Sequence, residues 1–318
     1  MAARSASDKV LKAIRDAEAA AGDDDARFVR ELRSLYLGAT LVSPARTLAI
    51  VRGRAAGDAG RRIYQDPRFI RNARNLARRT LAGVRVIGGS KTPPREFMDC
   101  VAVGARQWGC TGTLIAPRLV VTAGHCVDFA TRVFFGSSVK GKGVVVKVKR
   151  RIRHPKYHRG GKHNDLMLLV LEDEVKRVHP RKIATRAQID AAGDGRVVGF
   201  GYTDANGTYG YGIKRQTDIP IASTRCDGEV DGEDDSVSYG CDVGLEIVAG
   251  KALLARDSCN GDSGGPFYVA DRSGNWLLAG ATSRATDSAT HNCGDGGVYV
   301  RLDRYRPWIE DAAGIRLP

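Results

Sequence analysis

The chain has 318 residues, 42% of them hydrophobic, and a formal net charge of +14 from 50 Lys and Arg against 36 Asp and Glu. That length holds two domains' worth of core, and no apolar run approaches the roughly 18 residues of a membrane-spanning helix. The seven cysteines form no CxxC pair, which argues against a zinc or redox motif and for a disulfide framework made in an oxidising compartment.

Residues 1–85 hold 18 Lys and Arg against 9 Asp and Glu, a net +9 that leaves +5 for the remaining 233. "SDKVLKAIRDAEAA" and "DDDARFVRELRSLYL" space their apolar residues helically, with Ser7 and Asp25 as N-caps, so two short helices are predicted. Between Arg46 and Arg85 stand eleven arginines and two acids. Such a run suits a nucleic-acid or membrane-surface arm, or a basic, partly helical propeptide that solvates itself and is removed. Composition specifies no partner, so the propeptide is the expectation. No basic segment followed by an apolar stretch succeeds Met1, so no signal peptide is visible, and secretion is expected from the cysteines alone.

Beyond Arg85 the texture changes to short apolar or alternating runs: "CVAVGA", "TLIAPRLVVTA", "RVFFGS", "GVVVKVKR", "DLMLLVLE", "RVVGFGY", "NWLLAGATS" and "GGVYVRL", punctuated by Gly, Asn, Asp and Pro. This is an all-β pattern. "LDRYRPWIEDAAG" reads as a closing helix over about 303–315, capped by Gly314. Cys100, in "MDCVAV", is expected to be a small buried hydrophobe. His154, His158 and His163 lack helical periodicity, so a solvated loop is expected there rather than a metal site. Lys140, Lys142, Lys147, Lys149, Arg150, Arg151 and Arg153 form a basic stretch, solvated or open to polyanions. Asn206-Gly207-Thr208 is a glycosylation sequon.

The chemistry concentrates in "RDSCNGDSGGP" at 256–266. Gly-x-Ser-x-Gly around Ser263 fits the nucleophile elbow of the α/β-hydrolases, but there the acid and the histidine follow the serine, and His291 is the one histidine left downstream. Upstream, "LVVTAGHCV" carries His125 after one apolar run and "HNDLMLLVLE" carries Asp165 at the head of another. A serine hydroxyl needs a base within hydrogen-bond reach, and the base needs an orienting carboxylate.

In that order, "RVIGG" at 85–89, "CTGTLI", "TAGHC", "HPKYH" with "NDLMLL", "GFG" at 199–201, "DSCNGDSGGP" and "GGVYVRL" make residues 86 to about 316 resemble the trypsin-like (chymotrypsin-family) serine proteases. The resemblance implies two six-stranded Greek-key barrels, about 86–185 and 186–302, behind a propeptide of residues 1–85. It implies a triad of His125, Asp165 and Ser263 and an oxyanion hole from Gly261 and Ser263. Asp257 would lie at the base of a pocket for Arg or Lys, with Ser258, Ser283, Arg284, Ala285 and Gly297 around the substrate. Cleavage after Arg85 would free the Val86 amine to pair with Asp262. The disulfides implied are Cys110–Cys126, Cys226–Cys241 and Cys259–Cys293. No cofactor or metal is expected, since no carboxylate falls between Phe135 and Asn164, where a calcium loop would lie. A monomer acting on protein or peptide substrates follows. Gly124, Thr111 and Arg284 depart from the family's usual alanine, glycine and tryptophan, and the charge of Arg284 is expected to favour acidic residues upstream of the cut. Two other classes compete, a catalytically silent binding protein and a polyanion binder centred on residues 46–85; the intact triad opposes the first.

Overall fold

The computed structural model describes residues 89–158, 161–203, 209–230, 232–250, 257–287, 289 and 293–318, with isolated positions 16, 19, 20 and 71. The N-caps Ser7 and Asp25, nearly all of the arginine-rich run, Arg85, Val86, the sequon and His291 lie outside these residues.

Runs rich in Val, Leu, Ile, Phe and Thr suit a pleated, half-buried surface, and six of them close the first barrel. These are β2 (Cys100–Gly104), β3 (Trp108–Ala116), β4 (Leu119–Thr122), β5 (Arg132–Gly136), β6 (Gly143–Arg153) and β7 (Met167–Leu171), hydrogen-bonded in the order β2–β3–β4–β7–β6–β5. The barrel closes where Ala102 of β2 pairs with Phe134 of β5. After a one-turn helix α1 (Arg186–Asp190), the second barrel is built from β8 (Asp194–Gly199), β9 (Arg215–Ser223), β12 (Glu246–Ala249), β13 (Pro266–Ala270), β14 (Trp276–Ala285) and β15 (Gly297–Arg301). Its order, β8–β9–β12–β15–β14–β13, closes at Phe267 with Val197 and repeats the connectivity of the first. A small hairpin, β10 (Glu229–Val230) with β11 (Glu233–Asp234), and a one-turn helix α2 (Asp235–Tyr239) precede β12. The fold is chymotrypsin-like: two closed six-stranded antiparallel barrels and a C-terminal helix, α3 (Leu302–Ala313).

Three strands of the second barrel escaped the sequence pattern. In β9, "RQTDIPIAS", Pro220 argues against a central strand, yet Pro220 faces Asp194 of β8 and its carbonyl accepts from Gly250 N. The four residues of β12 are too few to show a period, and β13 starts directly behind the Gly264–Gly265 turn. A fourth strand, β1 (Ser90–Lys91), pairs with Gln216 and Arg215 of β9, so the chain touches the second barrel before it enters the first. α3 buries Leu302, Tyr305 and Ile309 along one stripe and ends at Gly314, whose φ of 66° is the left-handed cap a glycine adopts without strain.

One apolar cluster fills each barrel, and a third lies between them, where Phe97, Cys100, Leu166 and Phe134 meet Val198, Tyr268 and residues of α3. Cys100 is fully buried, and burial pushes its thiol well above the ordinary range, so it packs as a hydrophobe. Polar groups at this seam are paired. Asp99, 2% exposed, accepts from Arg181 (3.1 and 2.5 Å) and from the Tyr268 hydroxyl (2.5 Å), while Arg181 also donates to Trp276 O at 3.0 Å and lies over the Tyr268 ring. Lys214, from the second barrel, donates to Phe97 O at 2.8 Å.

Removing one partner of a buried ion pair leaves the other desolvated without compensation. Asp99→Ala should therefore cost about 3–5 kcal/mol of stability, read as a lower denaturant midpoint at unchanged slope; a midpoint within error of the parent would show that the seam does not depend on this carboxylate.

Candidate active site

Asp165 stands just ahead of β7 and is 3% exposed. Its carboxylate accepts from His125 N at 2.9 Å, lies 2.8 Å from His125 Nδ1, and accepts from the Ser283 hydroxyl at 2.7 Å. Three donors on one carboxylate fix its orientation, and the Nδ1 contact favours the tautomer whose Nε2 is an acceptor. His125 rides on a 3₁₀ turn (Gly124–Asp128) behind β4. A methyl at Gly124 would stand 3.1 Å from Tyr157 and 3.2 Å from Asp165, so the departure from alanine loosens a tight contact.

The backbone of Ser263 is held beside the turn of His125 by a different route. The Cys110–Cys126 disulfide joins β3 to the turn of His125. Next to that bond, Thr111 N donates to Ser263 O at 2.9 Å, and Ser263 O lies 3.8 Å from Cys126 Sγ. Only glycine fits at 264, where φ is +75° and a Cβ would fall 2.4 Å from Ala123 N. The sequence marks Thr111 as a departure but not what it does. Fully buried, its hydroxyl donates to Gly261 O at 2.8 Å and accepts from Phe200 N at 3.3 Å, fixing the segment that carries Gly261. The signal was the departure from glycine.

Two carboxyls sit beneath this loop. Asp262 accepts from Gly201 N (2.7 Å) and Cys259 N (2.9 Å), and a Cβ at Gly199 or Gly201 would collide with it, which explains why "GFG" needs its glycines. Burial pushes the Asp262 carboxyl up to about 6 against those two donors, and among the described residues no cation pairs with it. Val86 lies outside the described residues. Asp257 accepts from Tyr299 OH at 2.6 Å, Ser258 N at 2.7 Å and Ser258 Oγ at 3.3 Å; burial pushes it up to about 7. A Cβ on Gly297 would stand 2.8 Å from Asp257 Oδ1, so that only a glycine lets β15 pass this close to the carboxylate. Ala285 faces Gly297 across β14 and β15.

The sequence model described as Trypsin matches residues 86–309. The chain belongs to the trypsin family. It is 31% identical over 243 residues to Trypsin 5G1 of Aedes aegypti, covering 73% of this chain and 86% of that protein. Serine protease 1 of Rattus norvegicus is 30% identical over 236 residues (71% and 89%), and Transmembrane protease serine 5 of Homo sapiens is 29% identical over 246 residues (72% and 52%).

As a trypsin-family serine protease the chain carries all three implied disulfides, which suit an extracellular setting. Two expectations need correction. Arg284, expected as a free charge, is paired: its guanidinium forks onto Glu246, 1% exposed, with both contacts at 2.7 Å, so the two charges compensate each other within the protein. His154 is not in a solvated loop; it is 8% exposed, edge-on to the Tyr305 and Trp308 rings of α3, and burial lowers its basicity. His163 is exposed and lies 2.5 Å from Asp242. Among the described residues the one cluster with ligand-like spacing is Cys110, His125 and Cys126, whose sulfurs are joined in the disulfide and so cannot act as thiolates.

The two raised carboxyls give a pH dependence. Each holds a proton in the folded chain at pH values where the unfolded chain, near 3.8, has lost it. Their contribution to stability is therefore greatest below about pH 4 and declines as pH rises through 6 and 7. In the uncut chain, Asp257→Asn and Asp262→Asn should each flatten the fall in denaturant midpoint between pH 4 and 7.5; an unchanged slope in both variants would refute the assignment.

Proposed function

We propose that residues 86–318 form a secreted endopeptidase domain that hydrolyses peptide bonds after Arg or Lys, held inactive until a propeptide of residues 1–85 is cut away after Arg85. The observation that carries this reading is the Asp257 carboxylate, set against Gly297 and without a cation among the described residues. A carboxylate placed there without a partner cation is costly, and an entering guanidinium or ammonium supplies the partner.

His125 takes the Ser263 proton as Ser263 Oγ attacks the scissile carbonyl, and returns it to the leaving amine; Asp165 holds the imidazole and stabilises its charged form. The backbone N–H groups of Gly261 and Ser263 receive the oxyanion. Water then repeats the sequence on the acyl-enzyme, releasing the acid and regenerating the hydroxyl. Asp262, without a cation among the described residues, supports the switch: a freed Val86 ammonium would neutralise it and order the loop between the pocket and Ser263. Because Arg85 is itself basic, the enzyme can cut its own precursor. The exposed cations of β6, Lys147, Lys149, Arg150, Arg151 and Arg153, support contact with polyanions, and the reading takes the chain as a monomer.

Arginine, lysine and phenylalanine amides, offered to cut and uncut chain, test the proposal. Cut enzyme beginning at Val86 should prefer Arg and Lys. Asp257→Ser should reduce that preference by about 10²- to 10³-fold, and Ser263→Ala should lose about 10⁶-fold in kcat. Preference for phenylalanine, full activity in the uncut chain, or near-normal turnover by Ser263→Ala would each overturn a part of it.

A further inference from the structure

We infer that Arg284, standing where the family usually has tryptophan, is a positioning residue for Asp165 and acts by charge and hydrogen bonds. The inference rests on reading His125, Asp165 and Ser263 as one reacting unit. Asp165 is held from two sides, by the loop 161–165 that leads into β7 and by Ser283 on β14. Arg284 grips both. Its Nη1 donates to Lys162 O at 2.9 Å and lies 3.3 Å from Ser283 Oγ, while Nη2 donates to Gly240 O at 2.8 Å. Through the fork onto Glu246 these contacts are anchored at the first residue of β12.

The anchor is itself braced. Glu246 accepts from Asp242 N at 2.8 Å, and Asp242 meets His163 of the same loop. Lys162 spans to Asp287 at 2.6 and 2.8 Å, and Tyr305 of α3 donates to Asn164 at 3.0 Å. These ties differ in weight. Lys162 and Asp287 are both about half exposed, so water competes for them. The Arg284–Glu246 fork is screened from water, and burial pushes the Glu246 carboxyl up even with the guanidinium beside it. Without Arg284 that carboxylate would be stranded, and Lys162 O and Gly240 O would lose their donor. A tryptophan could fill the volume, but its single N–H could satisfy at most one of the three. Arg284 and Glu246 therefore belong together, Glu246 buried behind and Arg284 at the wall of a cleft of about 420 Å³ that also touches His125, Asp165 and Ser283.

A residue that only lined the substrate path would affect KM. One that sets Asp165 should act on the His125–Asp165 hydrogen bond with no substrate present. In the Ser263→Ala chain, the proton between His125 Nδ1 and Asp165 should give a resonance far downfield in the ¹H NMR spectrum. Arg284→Met should move it upfield or broaden it away, and Arg284→Lys, which restores the charge without the fork, should recover it in part. In active enzyme Arg284→Met should lower kcat by about 10²-fold with KM little changed. Glu246→Gln keeps the volume and carries the same expectations if Arg284→Met does not fold. An unmoved resonance in the variants, or a rise in KM at unchanged kcat, would overturn the inference. If the parent shows no downfield resonance, the pairing of His125 with Asp165 fails first, and the positioning role with it.

Discussion

Asp165 is where the two barrels are joined chemically as well as sterically. Its carboxylate belongs to the first barrel, yet one of its three donors, the Ser283 hydroxyl, belongs to the second. With fewer donors the carboxylate would lose part of what fixes its orientation toward the imidazole. The distance between barrels is thus fixed by hydrogen-bond lengths rather than by packing alone. The seam around Asp99, Arg181 and Tyr268 is a second tie between the barrels, binding the head of β2 to β13.

The glycines around Ser263 follow from this demand for closeness. Backbone from β3, the turn of His125 and the loop of Ser263 converge until a single Cβ at Gly264 would strike Thr122 and Ala123. Beneath them the protein leaves two carboxyls, Asp257 and Asp262, buried without cations among the described residues. Each is an incomplete ion pair, and completing it is a source of binding energy. In the proposed function one is completed by the substrate and the other by the chain's own new terminus.

How much of this was legible in sequence depended on whether a residue's role is local. His125, Asp165, Ser263, Asp257 and the "GFG" glycines sit in short motifs whose spacing carries the chemistry, and the long alternating runs announced most of the strands. Partners far apart in sequence did not show. Arg284 was visible as a departure, but Glu246, 38 positions away, gives no local sign that it cancels the charge. Thr111 likewise drew notice only as a misfit, because its partner Gly261 is 150 positions distant. His154 sits in a polar stretch, and only the return of α3 buries it. Strands β9, β12 and β13 failed to show for simpler reasons: a proline, a length of four residues, and a start hard against a glycine turn.

The central claim is that His125, Asp165 and Ser263 act as a unit and that Ser263 is the nucleophile. A fluorophosphonate reports this directly, since an activated serine oxygen displaces fluoride and keeps the phosphonyl group. Reacting the cut chain with the reagent and mapping the adduct by peptide mass spectrometry should place one label per chain on Ser263, with labelling abolished in His125→Ala. Peptide hydrolysis that persists while Ser263 stays unlabelled, or a label carried by another residue, would contradict it.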